Sequence, residues 1–251
     1  MTNPSPKNQS ALGARLSVIL VRPESPENIG LAARAMKNTG FGSLRLVGVD
    51  RLEPPAWRTA VHAEDVLSGC AFFPTLSAGV ADLNVVFAST ARRRQNFSSL
   101  RLEEAVSRLR AFGPPSRIGL VFGNERTGLT SAELALSNFR YSIPQAARQP
   151  SYNLASAVLL TLFEIFRREG AAAAETELRP VDVPLPFSEQ EACLRLILRK
   201  LEERRFLHAT NARHATEMVR DLVGRLSITA GDRRLLLAMF SHAGDDPERR
   251  G

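Results

Sequence analysis

What most limits how this chain can fold is a change of rhythm near residue 170. Before that point short apolar runs alternate with patterns of helical period; after it only helical periodicity remains. Leu16–Val21 reads LSVILV, a continuous run suited to a strand buried on both faces. Further strands are expected at Leu44–Val47, Asn84–Ala88, Ile118–Phe122 and Arg140–Ile143, with a weaker candidate at Ala71–Phe73. Helical patterns fall between them at 55–67, 101–112 and 131–137. Ser25-Pro26-Glu27 supplies an N-cap, a first-turn proline and an acid at the positive helix end, and a small-residue helix should run from there to Asn38 and stop at Gly40. This alternation predicts an α/β fold with a mostly parallel sheet and helices on both faces.

Composition marks the same cut. Ala171–Ala174 leads into Glu175–Phe187, which carries Pro180, Pro184 and Pro186 and reads as a linker. Beyond it a helix fits Ser188–Arg205, and Ala215, Met218, Val219, Leu222, Val223 and Leu226 repeat at i, i+3, i+4, i+7. Thr229 with Asp232 is a capping-box variant before Leu235–Phe240. The expected organisation is a disordered tail over 1–14, an α/β domain over 15–170, a linker over 171–187, a small all-α domain over 188–244 and a tail over 245–251.

Charge is divided in the same way. The chain has 251 residues and a formal net charge of +7, and 30 of its 33 basic residues are arginine. Residues 1–170 hold 20 basic and 13 acidic side chains, residues 171–251 hold 13 of each, so the whole excess belongs to the first domain. Arginine-rich surfaces favour polyanions, because phosphates reward the bidentate guanidinium and release counterions. No run approaches the roughly 20 apolar residues of a membrane span, and Met1–Ala14 is polar with two prolines, unlike a signal peptide. Cys70 and Cys193 lie far apart, and the four histidines have no metal-ligand spacing, so neither a metal site nor a membrane partner is expected. The expected setting is the cytoplasm.

Gly40-Phe-Gly42 imitates the start of a dinucleotide fingerprint, but it leaves a helix and lacks the third glycine, and is read as a helix stop. No GxxxxGK[ST] or GxSxG occurs. Three other segments stand out because each follows a predicted strand, where open parallel sheets bind ligands. They are Pro26–Gly40 with Asn28, Gly30 and Arg34; Leu120–Leu129 with Gly123-Asn124-Glu125; and Ile143-Pro144 followed by Ser151-Tyr152-Asn153-Leu154. Taken singly, each also has a plain reading: Asn28 as a cap, Gly123 and Gly128 as turn residues, Asn153 as a helix start.

In order, the three segments resemble the three motifs of the SPOUT methyltransferases, and specifically the TrmH-like ribose 2′-O-methyltransferases. Those have an asparagine and an arginine six residues apart, then a G-x-E turn, then S-x-N-L opening a helix; the counterparts are Asn28 and Arg34, Gly123–Glu125, and Ser151–Leu154. The resemblance covers 15–170. The stretches Met218–Leu226 and Asp232–Phe240 are similar to the helical extension of the TrmJ subgroup, and Ser89-Thr90-Ala91-Arg92-Arg93-Arg94 to its loop after the fourth strand.

The resemblance implies a trefoil-knotted SPOUT domain and a homodimer. It implies an S-adenosylmethionine pocket formed by Ser89, Thr90, Gly123, Asn124, Glu125, Ile143, Ser151, Asn153 and Leu154. Its activity is 2′-O-methylation of a tRNA ribose, for this subgroup the cytidine or uridine at the first anticodon-loop nucleotide, position 32. Alternatives are another tRNA site, rRNA, or an RNA-binding protein without catalysis. The chemistry must hold donor and acceptor in line and ease the loss of the hydroxyl proton. Arg34 is the expected catalytic group with Asn28 beside it in the motif, although a guanidinium keeps its proton and suits orienting the hydroxyl or stabilising an oxyanion better than acting as a base. Six residues put Asn28 and Arg34 about 120° apart around a helix. Arg92, Arg93 and Arg94 are the expected RNA phosphate contacts. Trp57 and the stripe Leu154, Val158, Leu162, Ile165 and Phe166 are assigned to packing, the stripe also to a subunit interface.

Overall fold

The computed structural model describes residues 12–91, 99–146, 151–172, 183–207 and 212–241. Strands β1 (Leu16–Val21), β2 (Ser43–Val47), β3 (Ala71–Phe73), β4 (Val85–Ser89), β5 (Leu100–Arg101), β6 (Ile118–Phe122) and β7 (Phe139–Ser142) form one sheet in the order β3-β2-β1-β6-β4-β7-β5. Every pairing is parallel, so all strand exits share one rim.

Both faces are covered, as uninterrupted apolar runs require. Leu16, Val18 and Leu20 of β1 point into one core, with α1 (Pro26–Asn38), α2 (Pro54–Ala60), α3 (Glu64–Ser68), α5 (Leu102–Arg110) and α7 (Leu154–Ala172). Ile19 and Val21 point into the other, with α4 (Leu76–Val80) and α6 (Ser131–Leu134). Ser25 caps α1 through its side chain, Pro26 opens the helix, and Gly40 at φ 81° ends it, as expected. Helices α1 and α2 pack so closely that a Cβ on Gly30 would lie 2.1 Å from the Ala56 carbonyl oxygen.

Several boundaries differ from the sequence reading. The helix expected over 55–67 is two helices, because Val61 and His62 take φ of 22° and 65° and the His62 N–H turns to the Glu64 carboxylate. The last strand starts at Phe139, not Arg140, and β4 starts after Asn84, whose amide serves elsewhere. Strand β5 and helix α4 were not expected; two and five residues give no periodic signal. Leu12 is buried and donates its N–H to Glu169, so 12–14 do not belong to a tail. Trp57 is 38% exposed, against its assignment to packing, and Phe166 is 43% exposed while Leu154, Val158, Leu162 and Ile165 are buried as expected.

The C-terminal part is all helical: α8 (Phe187–Glu203), α9 (Ala212–Leu226) and α10 (Ala230–Ser241), the last capped by Thr229 and Asp232. It is seated on the sheet domain as well as tethered to it. Phe187 and Ser188 donate their N–H groups to the carbonyls of Leu83 and Ala81. The buried Gln190 donates to the Asn84 and Leu185 carbonyls at 2.7 and 2.6 Å and accepts from Asn138 at 2.9 Å. Asn84 in turn donates to the Pro184 carbonyl at 2.6 Å. The expected linker is therefore shorter than 171–187: α7 continues to Ala172, and Pro184–Phe187 are docked; residues 173–182 lie outside the described residues. No described helix is long and apolar enough to cross a membrane.

Candidate active site

The three segments singled out in the sequence meet through one amide. Asn28, in the first turn of α1 and 7% exposed, donates from Nδ2 to Glu125 Oε1 at 2.8 Å and accepts at Oδ1 from Asn153 Nδ2 at 2.9 Å. Both ends of its side chain are thereby used, which fixes its orientation. Glu125 also takes the N–H groups of Glu24 (2.8 Å) and Ser25 (3.2 Å), tying the β1 exit loop to the β6 exit loop. Asn153 uses its carbonyl oxygen to cap α7 through the N–H groups of Ala155 and Ser156. Partial burial, the largest single influence, would raise the Glu125 pKa, but the hydrogen bonds from Glu24, Asn28 and Ser25 together hold it below its ordinary value, so the carboxylate is charged at neutral pH.

Beside this relay a cavity of about 410 Å³ opens at the exits of β4, β6 and β7, neighbours in the sheet. Of the residues expected to bind cofactor, Ser89, Thr90, Gly123 and Asn124 line it, as do Glu125, Ile143, Ser151 and Leu154. Asn153 stands behind the wall in the relay. Asn124 is buried and shapes the turn: its Oδ1 accepts from the N–H groups of Arg126 and Thr127, and its Nδ2 donates to the Arg22 carbonyl at 2.8 Å. A Cβ on Gly123 would lie 2.4 Å from the Gly128 carbonyl carbon, so the two arms of this turn meet backbone to backbone and only glycine fits. Tyr152 pins the third segment by donating its hydroxyl to the Pro144 carbonyl at 2.8 Å. Beneath Ser89 the fully buried Tyr141 hydroxyl shares a hydrogen bond with Thr161 at 3.2 Å, and burial pushes its pKa up, so it stays neutral.

Arg34 lies on the exposed side of α1, does not line the cavity, and has no hydrogen-bond or ion-pair partner among the described residues. Asn28 faces inward and Arg34 outward, as the spacing implied. Arg92, Arg93 and Arg94 lie outside the described residues. Sequence reasoning missed Arg22, which follows β1 at φ 48° and pairs with both oxygens of Glu133, the residue that also boxes the Thr130 cap of α6. Nothing in its local sequence signals that contact across 111 positions. It also gave no role to Gln145 and Arg126 at the cavity, the first next to Ile143-Pro144 and the second within the Leu120–Leu129 segment already singled out.

The SpoU rRNA Methylase family model matches residues 15–163. The chain is 38% identical over 160 residues to the uncharacterized tRNA/rRNA methyltransferase LasT of Escherichia coli K12, covering 60% of this chain and 68% of that protein. It is 31% identical over 244 residues to the tRNA (cytidine/uridine/adenosine-2′-O-)-methyltransferase TrmJ of Pseudomonas aeruginosa UCBPP-PA14, covering 90% and 93% of the two chains. The crystal structure of TrmJ from Z. mobilis ZM4 superposes with a TM-score of 0.76 at 29% identity, over 91% of this chain and 99% of that one. The last two likenesses extend across the helical C-terminal part as well as the sheet. With its three motifs joined at one strand-exit cavity, this chain belongs to the SpoU methylase family.

Proposed function

We propose that the protein transfers a methyl group from S-adenosylmethionine to a ribose 2′-oxygen of tRNA in the cytoplasm, with the cytidine or uridine at position 32 as target. The observation that carries this reading is the Glu125–Asn28–Asn153 relay, which makes one wall of three separate segments beside a cavity of small-ligand size. The match to a full-length tRNA 2′-O-methyltransferase over 90% of the chain supports the substrate class.

The residues present fit the donor. Three loops bring backbone donors and acceptors to the cavity, and Gly123 leaves a cradle that any Cβ would fill. The bound donor supplies an electrophilic methyl on a positively charged sulfur. Ser89, Thr90 and the Ile143–Leu154 segment hold it, while Asn28 is a positioning residue that keeps Glu125 and Asn153 in register. Arg34 orients the 2′-hydroxyl and stabilises the oxyanion that develops as its proton leaves. Its place outside its own chain's cavity favours a homodimer, in which α1 and α7 present Leu31, Leu159, Phe163 and Phe166, all at least 40% exposed, to a second copy. In this reading the segment after β7 threads the preceding loop as a trefoil knot, and Arg92–Arg94 contact RNA phosphates.

Calorimetric titration with S-adenosylmethionine, followed by mass mapping of tRNA methylated with labelled donor, tests the proposal. Saturable binding and a 2′-O-methyl at position 32 are expected. A methyl at another position or in rRNA alone would replace the target, and absence of donor binding at millimolar concentration would leave an RNA-binding protein without catalysis.

A further inference from the structure

A second cavity, of about 660 Å³, lies at the opposite end of β7, where α5 and the strand entrance face α9. No step of methyl transfer uses it. Its walls carry three arginines from three elements. Arg108 of α5 lies over the Phe139 ring, 5.2 Å from its centre, and makes no hydrogen bond or ion pair with the described residues. Arg140 at the strand entrance is 8% exposed at its side chain. Arg225 of α9 is half exposed. Two carboxylates face them. Asp221 is shared, 3.6 Å from Arg140 and 3.2 Å from Arg225. Glu104 also accepts the Arg101 N–H at the start of α5, a neutral donor that leaves its charge in place. Three guanidiniums facing two carboxylates leave the wall one positive charge in excess, carried on planar, bidentate donors.

We infer that this cavity binds a phosphodiester of the RNA substrate, with Arg108 and Arg225 as its contacts and Arg140 as the buried anchor that holds Asp221 aside. The inference rests on the tRNA reading above and adds a site to it. The guanidinium of Arg108, backed by Phe139, offers its outer face to a nucleobase beside the phosphate. Its volume is that of a small-ligand pocket, ample for one nucleotide of a strand passing through it. The site also gives the helical extension a defined share in RNA binding: although 171–251 is neutral in sum, Arg225 completes a cationic pocket that the sheet domain begins.

The test uses the full chain and a tRNA transcript, with affinity measured across a salt series. Arg108→Ala combined with Arg225→Ala should weaken tRNA binding about tenfold at physiological salt and lower the salt slope by one to two contacts, each about 0.7–0.9 in log–log slope. S-adenosylmethionine affinity should stay at the parent value. Arg108→Lys should recover part, but not all, of the tRNA affinity lost in Arg108→Ala, because it keeps the charge that a phosphate needs and loses the planar, stacked fork. If the double variant fails to fold, Arg225→Ala alone should still give a loss of about threefold. Parent-like tRNA affinity and salt slope in the double variant would overturn the proposal. So would adenosine monophosphate binding that the double variant loses while its tRNA affinity is unchanged, which would assign the cavity to free nucleotides. A parent protein that binds no tRNA at all would instead overturn the tRNA reading, and this site with it.

Discussion

The sheet domain and the helical extension reach order by different means. Among the described residues the sheet domain contributes 44 buried apolar side chains to two cores on either face of its strands, one of which also takes in Phe187 of α8, whereas the extension's own core has six. Met218, Leu222 and Leu226 on α9 and Leu235 and Met239 on α10 are all more than half exposed. What fixes the extension in place is the joint: the Asn84–Gln190–Asn138 amides, the backbone bonds at Phe187 and Ser188, and the ion pair of Arg140 with Asp221. A small bundle with so little apolar burial gains its stability from a neighbour. The candidate site is thus built entirely from the part with the larger core.

The comparison fails if chemistry depends on the extension, and it can be broken in order of effect. Arg34→Ala should lower single-turnover methyl transfer about 10²–10³-fold, while thermal stability changes by less than about 0.5 kcal/mol because the side chain is exposed. Parent-like turnover would remove Arg34 from the reaction. Gly123→Ala comes next: a Cβ driven against Gly128 should cost about 1–3 kcal/mol in a denaturant melt and weaken S-adenosylmethionine binding at least about tenfold.

Gln190→Leu strikes the joint instead. It leaves the Asn84 and Leu185 carbonyls without their donor, at about 2–4 kcal/mol in total. The outcome that sharpens the contrast is early proteolytic loss of the extension with cofactor affinity retained; loss of cofactor binding would make the two parts one cooperative unit. The carboxylates Glu125 and Glu133 both have lowered pKa values in the native chain. Their stabilisation is therefore complete above the ordinary value near 4.5 and is lost as acid carries the pH through the lower native values. An acid titration of cofactor affinity should stay flat down to the ordinary carboxylate value near 4.5 and fall only as the pH passes below it. Smallest of all, Leu222→Ser should change stability by less than about 0.5 kcal/mol, since its side chain already meets water. A loss above ~1 kcal/mol would show that another surface covers α9.

Much of this was legible in the sequence for identifiable reasons. Strands buried on both faces advertise themselves as apolar runs, and β1 and β6 begin and end where those runs do, as does the more exposed edge strand β3. The α1 boundary follows from local capping and a glycine. Eight of nine expected cofactor residues line one cavity because strand exits on one rim converge wherever the strands are adjacent. The break at Val61–His62, the Arg22–Glu133 pair and the amide joint were not legible. Each depends on partners brought together by the completed fold, and a lone Asn84 or Gln190 carries no periodicity. The α9 stripe was correctly placed on a helix, yet its width overstated burial: Val223 is covered and Met218, Leu222 and Leu226 are not.

The Asn28 amide has a consequence for assembly. Its two hydrogen bonds close loops of 97 and 125 residues, long-range closures that form late because chain entropy opposes them until the intervening strands have paired. A nascent chain that has not yet extended past Asn153 can build β1 and α1 but not the wall they belong to. The wall beside the cavity is thereby left incomplete until every strand of the sheet has been made.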